Sequence, residues 1–171
     1  MREMAFRTPS ESLRDIHRDV WRIAHARQDR GDGNRSFLFR RWRDGIVFVR
    51  GPYLPAQHSV GVDTPEVGGE YLFDLLVRAV RRNGRVERPV ETGDMPLWLA
   101  RHLAGFDLLS MRCSRSRSFS MGDGTALYGY HVRGRVRVAD VDAALGTLRA
   151  GVGRSKGFGF GMLVVQKADT D

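Results

Sequence analysis

The residues best equipped to hold an anion lie near the C-terminus, in Gly151-Val152-Gly153-Arg154-Ser155-Lys156-Gly157-Phe158-Gly159-Phe160-Gly161, where five glycines alternate with two cations and two aromatics. Glycine reaches positive φ and lets the backbone come close to a ligand, so successive N–H groups can converge on a phosphate while Arg154 and Lys156 bring charge. Gly153, Gly157 and Gly159 are read as lining such a cradle. Of 28 basic residues only Lys156 and Lys167 are not arginine, so one of two lysines sits in this loop. A tight turn closing a domain would want the same glycines, and that alternative stays open.

A second concentration of charge runs from 112 to 137, where Arg112, Arg115, Arg117, Arg133, Arg135 and Arg137 face a single acid, Asp123. The whole chain carries a net charge of +8 and a pI near 10.7. Cations that neutralise phosphates release condensed counterions, so a polyanion, first of all nucleic acid, is the expected partner. One cysteine, Cys113, rules out an internal disulfide and fits a reducing compartment. No histidine pair has metal-ligand spacing and no Cys/His cluster exists, which argues against a zinc site. The N-terminus lacks a secretion-type apolar stretch, and no run approaches membrane-spanning length, so a soluble cytoplasmic protein is expected.

The elements that must position these residues follow from periodicity. Thr8-Pro9-Ser10-Glu11 resembles a capping box, and Leu13, Ile16, Val20, Ile23 and Ala24 recur at helical spacing to about residue 26. Phe37–Arg43 and Ile46–Arg50 are β-prone runs joined by Asp44-Gly45, a hairpin dipeptide. Glu70–Arg78 alternates as a strand, and Arg81-Arg82-Asn83-Gly84-Arg85 reads as a basic turn and boundary. A short helix over 96–105, strands over 106–119 and 126–138, a helix over 140–149 and a last strand over 162–165 complete the pattern. Within 126–138, alternation places His131, Arg133, Arg135 and Arg137 on one face and Val132, Val136 and Val138 on the other. Two successive β/α units of similar size make the fold class α+β, with a pair of small domains.

Taken together, these features resemble CasE, the CRISPR-associated endoribonuclease family of type I-E systems within the RAMP superfamily. Ile16-His17-Arg18-Asp19-Val20-Trp21 and Arg35-Ser36-Phe37-Leu38-Phe39-Arg40 correspond to its opening helix and the strand that follows. Tyr71–Arg82, Trp98-Leu99 and Gly105-Phe106 correspond to its middle, and Gly151 to Gly161 matches its glycine loop position by position. The resemblance implies two tandem ferredoxin-like (RRM-like) domains, residues 1–88 with the catalytic helix and 89–171 with the basic hairpin and glycine-rich loop. It also implies a metal-independent endoribonuclease without cofactor. Such an enzyme binds the stem-loop of a CRISPR repeat transcript (pre-crRNA) and cuts it once, leaving a 2′,3′-cyclic phosphate or 3′-phosphate and a 5′-OH. It then stays on its product with other Cascade subunits.

Within that role His17 is the acid/base group, Arg154 and Lys156 clamp phosphates, and Arg112, Arg115, Arg117, Arg133 and Arg135 hold the RNA backbone. Periodicity alone sets His17 at the edge of the apolar stripe, where a packed histidine is the plainer reading; the resemblance reverses that. Phe158 and Phe160 are expected to pack rather than stack on bases. The chain departs from the family in a short connection before Glu70 and in Arg14, which stands where some members carry a tyrosine one turn before the histidine. A non-catalytic RNA-hairpin-binding subunit is therefore the alternative. A general RRM-like or DNA-binding module is a third reading, against which stands the lack of an aromatic-rich RNP strand.

Overall fold

The computed structural model describes residues 1–24, 36–84, 86–116 and 118–168. Two antiparallel four-stranded sheets organise them. The first contains β1 (Arg2–Arg7), β2 (Leu38–Arg41), β3 (Ile46–Gly51) and β4 (Val60–Gly61) in the order β2-β3-β1-β4, with helix α1 (Leu13–Ala24) inserted between β1 and β2. Ile16, Val20 and Ala24 of α1 pack on Phe37, Phe39, Val47 and Val49, all buried, so the apolar stripe read from spacing is the face that meets the sheet. The β2–β3 hairpin turns at Asp44 and Gly45, both at positive φ (55° and 71°), the conformation that Asp-Gly favours.

The second sheet is built from β5 (Glu70–Val77), β8 (Phe106–Arg115), β11 (Tyr130–Val138) and β12 (Leu163–Lys167) in the order β12-β5-β11-β8. Its helices are α2 (Met95–His102), between β5 and β8, and α3 (Val141–Ala150), between β11 and β12. Both sheets thus carry the spatial order 2-3-1-4 of their own four strands, which is the tandem ferredoxin-like arrangement. Between β5 and α2 an exposed two-stranded ribbon projects, β6 (Val80–Asn83) with β7 (Val86–Pro89). A further short pair, β9 (Phe119–Ser120) and β10 (Ala126–Leu127), interrupts the excursion from β8 to β11.

Two sequence readings shift. The helix does not start at the Thr8 box: Ser12 caps it, its Oγ accepting the Asp15 N–H at 3.1 Å and donating to Asp15 Oδ2 at 2.6 Å. Thr8 and Ser10 instead turn their hydroxyls onto Asp19 Oδ2, at 2.7 and 2.9 Å. The strand at Glu70, read as closing residues 1–88, pairs with β11 and β12 and so sits at the centre of the second sheet. The supposed boundary at Arg81–Arg85 belongs to the ribbon, whose exposed polar residues have the composition of a linker.

Candidate nucleic-acid interface

His17 lies on the flank of α1 where the helix meets the glycine loop. Four aromatic rings surround its imidazole, with centroids at 5.9 Å (Trp21), 6.0 Å (Phe37), 6.2 Å (Phe39) and 6.1 Å (Phe158). Phe39 comes from β2 and Phe37 from the residue just before it, and Phe158 from the glycine loop. The residue is partly buried, with Nδ1 on the covered side. An imidazole so fixed cannot swing freely, which suits a group that must meet one bond of a bound substrate.

The loop reaches α1 through a single turn of 3₁₀ helix, Lys156–Phe158, entered at Ser155 in the left-handed region (φ 57°). Many of its amides are already engaged. Gly151 donates to Thr147 O, Val152 to Gly161 O, Arg154 to Arg78 O, Phe158 to Ser155 O and Gly161 to Leu76 O, at 2.7–3.1 Å. The expected phosphate cradle is therefore narrower than the glycine count implies. Gly153 and Gly157 are partly buried, and Gly159 is buried against the Phe39 ring. Arg154 is exposed, with Nε 3.7 Å from Glu87 of β7, and Lys156 Nζ donates to Ala150 O at 2.8 Å. Phe160 is fully buried beside Phe119, and Phe158 is partly buried in the same cluster with Leu13 and Met121.

The other arginines singled out lie on β8 and β11, where Arg115 lines a hollow with Arg78 and Glu87, the partners of Arg154. Arg133, Arg135 and Arg137 do stand on the open face of the second sheet, but β5 brings carboxylates against them in register. Arg133 Nε donates to Asp74 Oδ2 at 2.7 Å, Arg137 donates to Glu70 at 3.1 Å, and Arg135 lies 3.5 Å from Glu70. Counting charge along 112–137 alone missed both acids. Arg112 sits directly across from Arg133, and among the described residues no ion pair reaches Arg112 or Arg115. Arg115 stacks over Tyr128 at 4.2 Å. Arg117 lies outside the described residues.

Two buried arginines, which no local pattern singles out, join the sheets. Arg40 meets Asp74 Oδ1 at 2.5 Å and His131 Nε2 at 3.1 Å, and it lies 4.7 Å over the Trp42 ring. Burial pushes the Asp74 carboxyl up, but the hydrogen bond and charge of Arg40, with His131 and Arg133, outweigh it and hold Asp74 below its usual range. Arg50 ion-pairs with Glu3 and donates to the carbonyls of Leu148 and Leu163, at 3.1 and 2.7 Å. The exposed ribbon was also missed as a surface: Arg81 and Arg82 line a hollow of about 390 Å³ with Arg101 and His102 of α2. Its alternation is too short and polar to read as paired strands.

Among the described residues no group of three His, Cys, Asp or Glu is placed to hold a metal ion, and no helix is long and apolar enough to cross a membrane. A model of the family described as CRISPR associated protein matches residues 1–167. The fold is similar to that of the CRISPR endoribonuclease Cse3 bound to a 19-nucleotide RNA, at TM-score 0.79 and 19% identity over 96% of this chain and 97% of that one. It is similar to the CRISPR-associated protein Cas6e from Escherichia coli K-12, at 0.72 and 19% over 98% and 100%. A chain of a CRISPR RNA-guided surveillance complex matches at 0.72 and 18%, again over 98% and 100%. A search of curated proteins gives no match.

Proposed function

Given that the chain belongs to the CRISPR-associated protein family, we propose that it is an endoribonuclease that binds the stem-loop of a CRISPR repeat transcript and cuts it once. The observation that carries this reading is the meeting of His17 with Phe158 of the glycine loop, which brings an imidazole next to the segment bearing Arg154 and Lys156. The shared fold of an RNA-bound Cse3 and of a surveillance-complex chain supports the RNA partner and retention in a Cascade assembly.

In this reading the chemistry is carried by His17, Arg154 and Lys156. His17 serves proton transfer as the ribose 2′-oxygen, losing its proton, attacks phosphorus. The bond to the 5′-oxygen breaks, that oxygen takes up the proton that His17 has removed from the 2′-OH, and the products are a 2′,3′-cyclic phosphate and a 5′-OH. Arg154 and Lys156 offset charge developing on the phosphoryl oxygens. Arg81 and Arg82 on the ribbon extend a cationic surface outward from the side where Arg154 and Arg78 share Glu87.

The test is cleavage of the cognate repeat hairpin in EDTA. Wild-type protein should cut, and His17→Ala should lose about 10²–10⁴-fold in turnover while still binding. A fully active His17→Ala refutes the role. Tight binding by wild type with RNA left intact favours the non-catalytic subunit; in that reading Arg14, which pairs with Asp123 at 2.7 Å, stands for the family's tyrosine without replacing it.

A further inference from the structure

Strand β2 separates two environments. Phe37 and Phe39 point to His17, whereas Arg40, on the opposite face of the strand, points toward the second sheet. On the Arg40 side a cleft of about 690 Å³ opens, lined by Arg40, Arg41, Trp42, Arg115, His131 and Arg133, with Asp44 the one carboxylate in its wall. We infer that this cleft holds an unpaired RNA segment flanking the repeat stem, separately from the surface around His17. The inference rests on the hairpin-cleaving reading and names a second subsite within it.

The two walls differ in a way that suits one kind of ligand. The second sheet supplies charge: Arg133 is 59% exposed at its side chain, and Arg112, its neighbour across the strand pair just outside the cleft lining, adds a like charge that no ion pair among the described residues offsets. Like charges directly opposed on a sheet face repel, so an anion laid across them is stabilising. The first sheet supplies an aromatic platform. Arg40 covers one face of the Trp42 ring, Phe48 meets it edge-on at 6.0 Å and 85°, and Trp42 and Phe48 remain 37% and 36% exposed.

A cationic wall facing exposed aromatics is the combination that binds single-stranded nucleic acid, phosphates on one side and bases stacked on the other. In a duplex stem the base faces are already stacked, so Trp42 can engage only an unpaired base. A free phosphate or small anion would leave Trp42 unused. Asp74 does not spoil the site: Arg40, His131 and Arg133 all lie against it, and it holds Arg133 in place from below.

The experiment compares a bare repeat hairpin with the same hairpin carrying about eight unpaired uridines, a length within the ~4–16 nucleotides that single-strand-binding OB folds span, on the 5′ side or the 3′ side. Wild-type protein should bind one flanked RNA about tenfold tighter than the bare hairpin. Trp42→Ala and Arg133→Gln should each bring that ratio close to one. Without any substitution, 4-thiouridine in the flank should crosslink to residues 40–42 or 131–133. Tight binding of the bare hairpin with no gain from either flank overturns the inference and leaves the hairpin reading standing. So does a gain that survives Trp42→Ala, or crosslinks confined to 154–158. Binding of none of these RNAs refutes the hairpin reading and the subsite with it.

Discussion

Asp74→Asn tests how the two sheets are held. The Arg40 side chain is 5% exposed, and its guanidinium meets Asp74 Oδ1 at 2.5 Å, with His131 as a neutral or like-charged neighbour. Asparagine keeps the shape and one acceptor oxygen but leaves a buried cation without counter-charge, which costs about 3–5 kcal/mol. For a domain pair of this size that is a fall in Tm of about 6–20 °C. Arg133 pairs with the same carboxylate from a solvent-exposed position, so Arg133→Gln should cost less than about 1 kcal/mol.

The pH dependence gives an independent check. Asp74 in the folded protein sits below its ordinary range, so the unfolded chain takes up the proton first as pH falls. The contribution is then complete above the unfolded carboxylate pKa of about 4 and lost as pH drops through the lower folded value. Melts followed by circular dichroism should show a wide gap between wild type and Asp74→Asn at pH 7 that narrows in acid. A gap below about 1 kcal/mol at pH 7, or one that does not change with pH, would refute the reasoning.

Arg50→Met strands the buried carbonyls of Leu148 and Leu163 and should cost about 2–6 kcal/mol by calorimetry; Glu3→Gln keeps an acceptor but leaves the buried Arg50 cation without counter-charge, and should cost about 3–5 kcal/mol. Gly159→Ala forces a side chain at φ +83° and 3.1 Å from Phe39 Cε2, displacing a ring that contacts His17, so single-turnover cleavage should fall more than hairpin affinity. Unchanged cleavage would remove the loop from positioning the imidazole. Arg154→Gln should lower the slope of log affinity against log salt by about one, read by fluorescence anisotropy over a KCl series; an unaltered slope takes Arg154 off the phosphate path.

What the sequence made legible is what local physics decides. The α1 stripe, the Asp44-Gly45 hairpin and the alternation of β11 each follow from spacing, and each is present. The helix starts later than the Thr8 box implies because Thr8 and Ser10 donate their hydroxyls to Asp19, eleven and nine residues away, instead of capping a first turn. The basic face was over-read for a related reason: Glu70 and Asp74 neutralise part of it from 67 and 59 residues away. Arg40 and Arg50 were invisible as joints, since an arginine's burial depends on carbonyls and carboxylates that only the assembled sheets provide. The role proposed for His17 comes from the family pattern and not from periodicity, which cannot tell a catalytic histidine from a packed one.

In the glycine loop most of the glycines answer to packing and backbone geometry. Gly151, Gly153, Gly159 and Gly161 all lie at φ between 70° and 84°, and an added Cβ would come within 2.3–3.1 Å of a neighbour. Those neighbours are Leu38 and Phe39 of β2, Val77 of β5 and the Val152 carbonyl, so packing and backbone geometry already account for four of the five glycines. What they achieve is placement: the chain turns back sharply enough to lay Phe158 against His17. Ser155, between the two cations, is the one non-glycine in this loop at positive φ, and the Arg78 guanidinium donates to its Oγ at 3.2 Å. Strain of this kind, of order 1–3 kcal/mol, persists only where surrounding structure enforces it. Here Arg78, just after β5, holds the turn twice, accepting the Arg154 N–H at 3.1 Å and donating to Ser155 Oγ. The anion contacts proposed for this loop are thus left to the tip at residues 154–157, and the glycines on either side are what bring that tip to the opening helix.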